Sequence, residues 1–279
     1  MSNPFQLNVT LPDGSQKTLY EPYPKQVLFH QNPTTNLVAI GSRGSGKSKV
    51  LRFDAHLRAL SIPGCNLILI RKTLKQLHQS HFIDIHSEMK ALGGYFHATN
   101  YIAYYPNDSK LFFSYVGHDT DSMNLLSAEF IAAYFDELSV IPWEYFLKLC
   151  ASVRSAGWFR DAGIRAVIRA ATNPLGESAS EVNKYFVTKL VDPEEDDDYL
   201  PDEWGHIRMD MEDNPYLDLI EYRKRFAGFA DHIKRAWLDG EFMDEQGLFD
   251  FHASKDGQPY HVIHELPEIN GRPIVESYW

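Results

Sequence analysis

The chain has 279 residues, 44% of them hydrophobic, and a formal net charge of −11. Its length and apolar content suffice for a sizeable buried core, and its acidic balance argues against a protein that coats nucleic acid uniformly. The sequence contains neither an apolar stretch of about 18 residues nor a charged-then-apolar leader at Met1, so it predicts no membrane span and no secretory signal.

Two local features refine these averages. Eight of the acidic residues lie in one run, "DPEEDDDYLPDE" at 192–203, which is typical of a solvated loop but would also repel DNA from one side of the molecule. Cys65 and Cys150 both lie in apolar runs, so we expect reduced thiols in the core, as in proteins of a reducing compartment.

The first predicted unit is a strand, a loop and a helix. "NLVAIG" at 36–41 is a short, β-rich apolar run, and the glycine-rich stretch "GSRGSGKS" overlaps its end. Beyond the glycines, apolar residues recur at spacings of three and four, which predicts one face of a helix: Val50, Phe53, Leu57 and Leu60.

Strands and helices then alternate as far as residue 174. The sequence predicts a buried strand at 65–71, a polar helix from Lys75 to Leu92 that ends at Gly93 and Gly94, a hairpin at 101–117, and apolar strands at 129–137 and 164–174. This alternation predicts an α/β fold, with a mainly parallel central sheet flanked by helices and the hairpin as a local antiparallel insertion.

The loop at 41–48 carries the strongest chemical signal. Gly41, Gly46, Lys47 and Ser48 satisfy G-x-x-x-x-G-K-[ST], a pattern in which backbone N–H groups and a helix N-terminus together bind phosphate. Lys47 would reach the β- and γ-phosphates, and the Ser48 hydroxyl would ligate Mg²⁺. An ordinary glycine-rich turn is the alternative. The same hypothesis places the remaining loop residues at the phosphates: Ser42, Arg43, Gly44 and Ser45.

A pair of acids closes the next apolar strand. Asp136 and Glu137 follow the apolar stretch "IAAYF", and we expect their strand to lie beside the loop strand. Asp136 would then belong to the Mg²⁺ shell, and Glu137 would orient and deprotonate a water. Acids after a strand are also common as exposed end residues. One further strand, 65–71, intervenes along the chain, which resembles the additional-strand, catalytic-glutamate branch of P-loop ATPases.

Two further polar positions fit a nucleotide site. Thr172 and Asn173 end the strand at 164–174, at the edge where ligands of an open α/β sheet collect, and could respond to the γ-phosphate. A turn cap is the alternative, since Asn-Pro is a strong turn dipeptide. Gln26 precedes the first strand, and its amide could read adenine with one donor and one acceptor, although a surface glutamine is equally compatible.

In this order, these stretches resemble the large terminase subunit of tailed double-stranded DNA bacteriophages, the ATP-driven motor that packs DNA into a preformed head. "YPKQVLFH" is similar to its adenine motif, "GSRGSGKS" to its phosphate loop, "IAAYFDE" to its acidic strand and "AATNP" to its coupling motif. "DNPYLDLIEYRKRF" and "RAWLDGEFMDEQGLF" are similar to its lid segment. The similarity runs from about residue 20 to 250.

The resemblance implies a domain organisation. Residues 1–175 would form the P-loop ATPase core, 176–250 a small lid subdomain, and 251–279 a tail or linker toward a nuclease domain that this chain lacks. Family members usually continue into an RNase H-like nuclease, whose metal-binding acids lie well beyond the residues of this chain. We therefore expect no nuclease activity from this chain.

The resemblance also raises the question of an arginine finger. Family members often carry an arginine shortly before the acidic strand, whereas this chain reads "SMNLLSAEF" there. Arg154 is our first candidate for a finger that reaches into a neighbour's site, and Arg43 is the second, although a plain surface arginine is an equal interpretation of Arg154.

The function that the resemblance implies is an Mg²⁺-dependent ATPase that drives double-stranded DNA into a viral procapsid. Its cofactors would be ATP and Mg²⁺, and its partners DNA, the portal protein, the small terminase subunit and further copies of itself in a ring, in the cytoplasm of the infected host and without a membrane. Two alternatives are a nucleotide-gated assembly or portal-docking module with little hydrolysis, and a helicase-type ATPase on the same fold.

The sequence gives no single basic run for gripping DNA. Contacts to any sequence would be made to phosphates by scattered lysines and arginines. Two groups could line a pore or could be solvated surface: Arg154, Arg160, Arg165 and Arg169 in one, and Lys72 and Lys75 in the other. Three histidines of a predicted helix form no complete zinc set: His78, His81 and His86.

Overall fold

The computed structural model describes residues 3–10, 14–116, 129–194 and 196–242, together with four short strands beyond them. The chain forms two units, Met1–Met243 and Asp244–Trp279. In the second unit, Ser254–Lys255 pairs with Gln258–Pro259 and Glu268–Ile269 pairs with Arg272–Pro273, both antiparallel. Most of the predicted tail at 251–279 therefore lies outside the described residues, as does most of "SMNLLSAEF".

An eight-stranded sheet organises the first unit. Its strands are β3 (Asn36–Ile40), β4 (Asn66–Arg71), β5 (Tyr95–His97), β6 (Ile102–Tyr104), β7 (Lys110–Tyr115), β8 (Ala132–Asp136), β9 (Val167–Thr172) and β10 (Trp204–Arg208). Their order is β10-β3-β9-β8-β4-β7-β6-β5, and the pairs from β10 to β7 are all parallel. Strands β7, β6 and β5 pair antiparallel. The predicted mainly parallel sheet is confirmed.

Helices flank this sheet, and a separate hairpin precedes it. The hairpin joins β1 (Leu7–Thr10) to β2 (Gln16–Tyr20). The helices that cover the two faces or adjoin the site are α1 (Pro24–Gln31), α2 (Lys47–Ser61), α3 (Leu74–His78), α4 (His81–Ala91) and α5 (Trp143–Cys150). Further helical segments, each of three to six residues, are Leu138–Val140, Trp158–Asp161, Ala179–Val182, Asn183–Thr188, Pro201–Glu203, Met211–Asp213, Leu219–Lys224, Asp231–Lys234 and Arg235–Asp239. None of the helices in the described part of the chain is both long and apolar enough to cross a membrane.

Alternation along the strands builds two apolar cores. In β3, Leu37 and Ala39 belong to one core, whereas Val38 and Ile40 belong to the other, because successive side chains of a strand point to opposite faces. Helices α1, α2 and α4 cover the first core, and α5 covers the second together with residues 182–186. Every residue of β3 is buried, as expected for a strand covered on both faces.

Helix α2 is buried more deeply than its sequence predicts. Val50 and Phe53 are buried as expected, but Leu57 and Leu60 are only partly buried. Besides Lys47 at its first position, the helix buries three further ionisable residues, Arg52, Asp54 and His56. An apolar pattern cannot reveal a helix whose buried face includes charges that are paired inside the protein.

Three features of the sheet and its helices differ from the prediction. The acidic strand β8 does not adjoin the loop strand β3, because β9 lies between them. The hairpin at 101–117 is present, but it extends one edge of the central sheet because β7 pairs with β4. The helix predicted at 75–92 is divided into α3 and α4 near Ser80.

The division between α3 and α4 has a physical cause. Arg71 Nη1 donates to the Gln76 carbonyl at 3.2 Å and to Ser80 Oγ at 2.8 Å. The Ser80 hydroxyl donates to the same Gln76 carbonyl at 2.7 Å. These side chains take the bonding capacity of a carbonyl that a continuous helix would give to a backbone N–H four residues on.

Part of the predicted lid at 176–250 pairs with the central sheet and packs in its second core. Strand β10, at Trp204–Arg208, is a parallel strand of the central sheet, and Phe186 is part of its second core. The described residues up to 242 belong to one compact unit with the sheet. A lid domain at 176–250 with its own boundary stays a prediction.

Candidate nucleotide site

The glycine-rich loop leaves β3 and enters α2 at the carboxyl edge of the sheet. Gly41 has φ +152°, and a Cβ atom there would lie 1.9 Å from the Met209 carbonyl oxygen, so no larger residue fits. Gly46 has φ +79° at the N-cap of α2, a left-handed conformation that favours glycine. The sequence places its glycines where the backbone path requires them.

Lys47 lies inside this loop. Its Nζ donates to the carbonyls of Gly41 and Ser42, at 3.1 and 2.6 Å, and to Ser45 Oγ at 3.1 Å. Burial lowers the pKa of the Lys47 ammonium to about 7, although the Asp136 carboxylate opposes that shift. A nearby anion would raise the pKa of this ammonium and restore its charged form. Lys47 would therefore be strongly stabilised by a nearby anion.

Asp136 and Ser48 bring two hard oxygen atoms together. Ser48 Oγ donates to Asp136 Oδ1 at 3.0 Å, across the loop from the carboxyl end of β8. On its other oxygen, Asp136 Oδ2 lies 3.1 Å from Arg71 Nε and 2.9 Å from His81 Nε2. Burial would raise the pKa of Asp136, but Arg71, His81 and Ser48 hold it well below its usual range.

The His81 ring has a defined tautomer. Its Nδ1 lies 3.3 Å from Arg52 Nη1, which can only donate, so Nδ1 accepts and Nε2 carries the proton that is given to Asp136. Burial lowers the pKa of His81, which favours this neutral form. His81 is therefore a fixed hydrogen-bond donor behind the carboxylate.

Glu137 has a strained backbone and a held carboxylate. Its φ of +60° is uncommon for a residue with a side chain and is typical of functional positions. Arg71 Nη2 lies 2.7 Å from Glu137 Oε1, and Gln76 Nε2 donates to Oε2 at 3.3 Å. Burial and the neighbouring Asp136 charge raise the pKa of Glu137, although Arg71 opposes them, so its carboxylate is a stronger base than a free one.

Thr172 and Asn173 connect the two halves of the site. Because β9 lies between β3 and β8, its end lies between the phosphate loop and the acids. Asn173 Nδ2 donates to the Gly41 carbonyl at 2.7 Å, and Thr172 Oγ1 accepts from the Ser139 backbone N–H at 3.0 Å, just beyond Glu137.

The described residues enclose a cavity of about 320 Å³ at this edge. Its lining residues are Arg43, Gly44, Ser45, Gly46, Lys47, Ser48, Lys49, Asp136, Glu137, Thr172, Asn173 and Tyr222. The donor set fits Mg²⁺ with a polyphosphate: a hydroxyl and a carboxylate oxygen suit a hard cation, and the lysine and the N-terminus of α2 suit phosphate. In the described part of the chain, no group of three or more His, Cys, Asp or Glu side chains could hold a metal ion.

Part of the surrounding protein was missed by sequence reasoning. Arg71, Gln76 and His81 contact the acids although none belongs to the motifs. The spacing of His81 in the sequence bears only on a zinc set. A parallel strand that ends beside the acidic strand offered a signal for Arg71, since the carboxyl ends of neighbouring strands meet.

Residues 209–242 contact the outer side of the phosphate loop. The Met211 N–H donates to Ser42 Oγ at 2.5 Å, and Asn214 Nδ2 donates to the Gly44 carbonyl at 2.6 Å. The Arg43 N–H donates to the Trp237 carbonyl at 2.7 Å, and the Arg43 guanidinium lies 4.3 Å from the centroid of the Trp237 ring. Three consecutive loop residues are thus bonded to this later segment.

Arg154 does not join the site of its own chain. Its N–H donates to the carbonyl of Phe130, two residues before β8 begins, and Asp136 lies at the opposite end of that strand, roughly 20 Å of extended chain away. Its guanidinium is about half exposed and pairs with Glu129 at 2.6 Å. A role in a neighbouring chain stays a prediction.

The candidate DNA contacts have different environments. Arg169 is buried, and its Nη1 donates to the backbone carbonyls of Thr34 and Thr35, so it cannot grip DNA. Arg160 pairs with its neighbour Asp161, and Lys72 pairs with Glu177; both pairs are exposed.

Cys65 and Cys150 are free thiols, and only Cys65 is fully buried.

A glycine loop between a central strand and a helix, with its lysine and serine facing two acids at the end of a parallel strand, defines a P-loop NTPase. A sequence model of the family described as phage terminase large subunit matches residues 34–228. The chain belongs to this family.

Solved structures share the fold. The large terminase of a thermophilic bacteriophage gives a TM-score of 0.62 at 14% identity, over 80% of this chain and 54% of that one. The complex of the same terminase with ADP gives a TM-score of 0.60 at 17% identity, over 79% of this chain and 54% of that one. A point mutant of the ATPase domain of the Thermus phage P74-26 large terminase gives a TM-score of 0.60 at 14% identity, over 80% of this chain and 95% of that one.

At these identities the likeness establishes the fold alone. The chain spans about half the length of the first of these terminases, in both of its structures. No curated protein matches the sequence.

Proposed function

We propose that this chain is an Mg²⁺-dependent ATPase that drives double-stranded DNA into a viral procapsid. One observation carries the proposal: Lys47, Ser48, Asp136 and Glu137 converge on one cavity in a chain of the terminase family. The large terminase of the thermophilic bacteriophage, which shares the fold, has been solved with ADP and with ATP-gamma-S, which supports an adenine nucleotide as the ligand.

The loop and the acids divide the work of binding. Lys47, Arg43 and the N–H groups of the loop would hold the phosphates, and Ser48 with Asp136 would hold the metal. When bound, Mg²⁺ would neutralise charge on the phosphate oxygens. His81 and Arg71 keep Asp136 ionised and in one orientation, as a metal ligand requires.

Glu137 would take a proton from the attacking water. Its raised pKa favours that transfer, and Arg71 and Gln76 fix the direction of its carboxylate. Thr172 and Asn173 would couple this step to the loop, since they bond to Ser139 beyond Glu137 and to Gly41.

The partners follow from the family. A packaging motor in the host cytoplasm requires double-stranded DNA, the portal protein and the small terminase subunit as partners. It also requires further copies of itself, in a ring on the procapsid. The exposed Arg154 guanidinium, remote from its own site, supports a contribution to a neighbour's site in such a ring.

The decisive experiment is Glu137→Gln. The variant should lose about 10²–10⁴-fold in ATP turnover and still bind ATP, because the amide keeps the shape of the side chain but cannot accept the proton. Turnover at saturating Mg²⁺ and ATP, with binding measured by a fluorescent ATP analogue, tests this.

Glu144→Gln is the matched control. This exposed glutamate lies on α5 and should give wild-type turnover. Full turnover by Glu137→Gln would remove the proposed base. Tight ATP binding by the wild type with negligible turnover, with and without DNA, would favour the nucleotide-gated assembly module.

A further inference from the structure

Two side chains at the start of α1 contact the back of the phosphate loop. The Tyr23 hydroxyl donates to the Ser45 carbonyl, and Gln26 Nε2 donates to the Gly46 carbonyl at 3.3 Å. Both side chains are buried, and Gln26 is only 2% exposed. We call Tyr23 and Gln26 the loop clamp.

The orientation of the Gln26 amide is fixed by its partners. The Tyr23 N–H lies 3.4 Å from Gln26 Oε1. The Tyr20 hydroxyl lies 3.3 Å from the same oxygen and 2.9 Å from His30 Nε2, and these two acceptors share its single proton. A reversed amide would set NH₂ against the Tyr23 N–H and oxygen against the Gly46 carbonyl, which are two repulsive contacts. The amide is therefore bonded at both ends within the protein, through Oε1 to the Tyr23 N–H and through Nε2 to the Gly46 carbonyl.

The geometry of the peptide bond gives these contacts a consequence. In a planar trans peptide the C=O and the following N–H point in opposite directions. Bonding the Ser45 carbonyl to Tyr23 turns the Gly46 N–H to the other side of the loop. The Gly46 carbonyl also accepts from the Val50 N–H at 3.0 Å within α2, so the helix and Gln26 together turn the Lys47 N–H the same way. Gly46 and Lys47 line the cavity, and these are donors that a phosphate would accept.

We propose that Tyr23 and Gln26 are positioning residues that aim loop N–H groups at a polyphosphate, and that Gln26 does not read the base. The inference rests on the proposed function, since it takes the loop to bind a nucleoside triphosphate. It departs from the sequence-based interpretation of Gln26 as an adenine reader, because the amide oxygen and the amide nitrogen that would face adenine already bond to the Tyr23 N–H and the Gly46 carbonyl.

The test compares ligands with and without a base. Dissociation constants for ATP, GTP and inorganic tripolyphosphate are measured by calorimetry at constant Mg²⁺ for the wild type, Tyr23→Phe and Gln26→Glu. Each variant should weaken all three ligands by the same factor, about tenfold, which corresponds to one hydrogen bond. Gln26→Glu keeps the side-chain shape and sets an oxygen against the Gly46 carbonyl.

Tyr105→Phe is the matched control. It also removes one buried tyrosine hydroxyl, which bonds to His56 Nδ1 at 2.6 Å and not to the loop, so binding of the three ligands should be unchanged. Thermal unfolding checks that the variants are folded, and if Gln26→Glu is not, Tyr23→Phe decides alone, since it deletes a single oxygen.

The possible outcomes separate the two proposals. A loss confined to ATP, with GTP and tripolyphosphate unchanged, would overturn the clamp and restore Gln26 as an adenine reader. Unchanged affinity for every ligand in both variants would overturn it as well. A wild type that binds none of the three would overturn the proposed function and the clamp with it.

Discussion

Asp136 and Glu137 are adjacent in sequence, yet their carboxylates have opposite electrostatic environments. Burial acts to raise the pKa of both, but Arg71, His81 and Ser48 hold the pKa of Asp136 low, whereas the negative charge of Asp136 helps to keep the pKa of Glu137 raised. One carboxylate is therefore suited to hold a cation and the other to accept a proton.

Lys47 leads to a pH prediction at the same scale. Burial lowers the pKa of its ammonium to about 7, and bound phosphates would raise it, so ATP binding should take up a proton. More protons are then held in the complex than in the free protein, so affinity should fall as pH rises from 7 to 9, by up to about tenfold per unit. Calorimetry in buffers of different ionisation enthalpy measures the uptake.

Lys47→Arg separates this effect from titration of the nucleotide. Its guanidinium stays protonated throughout this pH range, so the variant should show a much flatter pH dependence. The same slope in both proteins would mean that Lys47 does not titrate on binding.

The sequence predicts the residues that a local pattern marks, and the structure brings them together: the loop, Asp136, Glu137, Thr172 and Asn173. It does not predict Arg71 and His81, which reach Asp136 from 65 and 55 positions earlier in the chain. Their role depends on which strands adjoin and where α3 ends, and no short pattern encodes either.

At the scale of elements, α2 is joined to α4 by buried charges. Arg52 Nε lies 2.7 Å from Glu88 Oε2, and the two side chains are 5% and 7% exposed. Arg52→Met should lower the free energy of unfolding by about 3 kcal/mol, because it leaves a buried carboxylate without its charged partner. Urea unfolding measures the loss.

An exposed ion pair serves as the comparison. Lys148 lies 3.6 Å from Glu144 on α5, with both side chains largely exposed. Lys148→Met should change the free energy of unfolding by less than about 0.5 kcal/mol. If Arg52→Met unfolds at the same urea concentration as Lys148→Met, the buried pair contributes no more than a surface pair.

Elements differ in how far their sequence reveals them. The buried strands β3, β4, β8 and β9 are apolar runs, and each was predicted. Strand β10, "WGHIR", is only partly buried at the edge of the sheet and has no such run, so its place became visible only through its pairing with β3. The sequence does not predict the order of the strands in the sheet either, because contacts between distant segments decide which strands adjoin.

At the scale of the whole molecule, the remote position of Arg154 predicts cooperation between chains. If it completes a neighbour's site, the ATPase rate per chain should rise with protein concentration, and Arg154→Ala should abolish that rise while ATP binding is unchanged. An arginine finger is worth about 10³–10⁵-fold in rate, so the rise should be easy to measure.

Arg160→Ala controls for loss of an exposed arginine. Arg160 pairs only with its neighbour Asp161 among the contacts described, and its variant should keep the concentration dependence. A rate per chain that is constant at every concentration, and equal in the wild type and Arg154→Ala, would indicate a self-contained site.

The bonds from Ser42, Arg43 and Gly44 to residues 211–237 constrain how the loop and this later segment can move relative to each other. Hydrogen bonds lengthen by only a few tenths of an ångström before they fail. A displacement of the loop on binding phosphate must therefore either carry that segment along or break its attachment. A displacement of the segment would act, by the same path, on the loop residues that line the cavity.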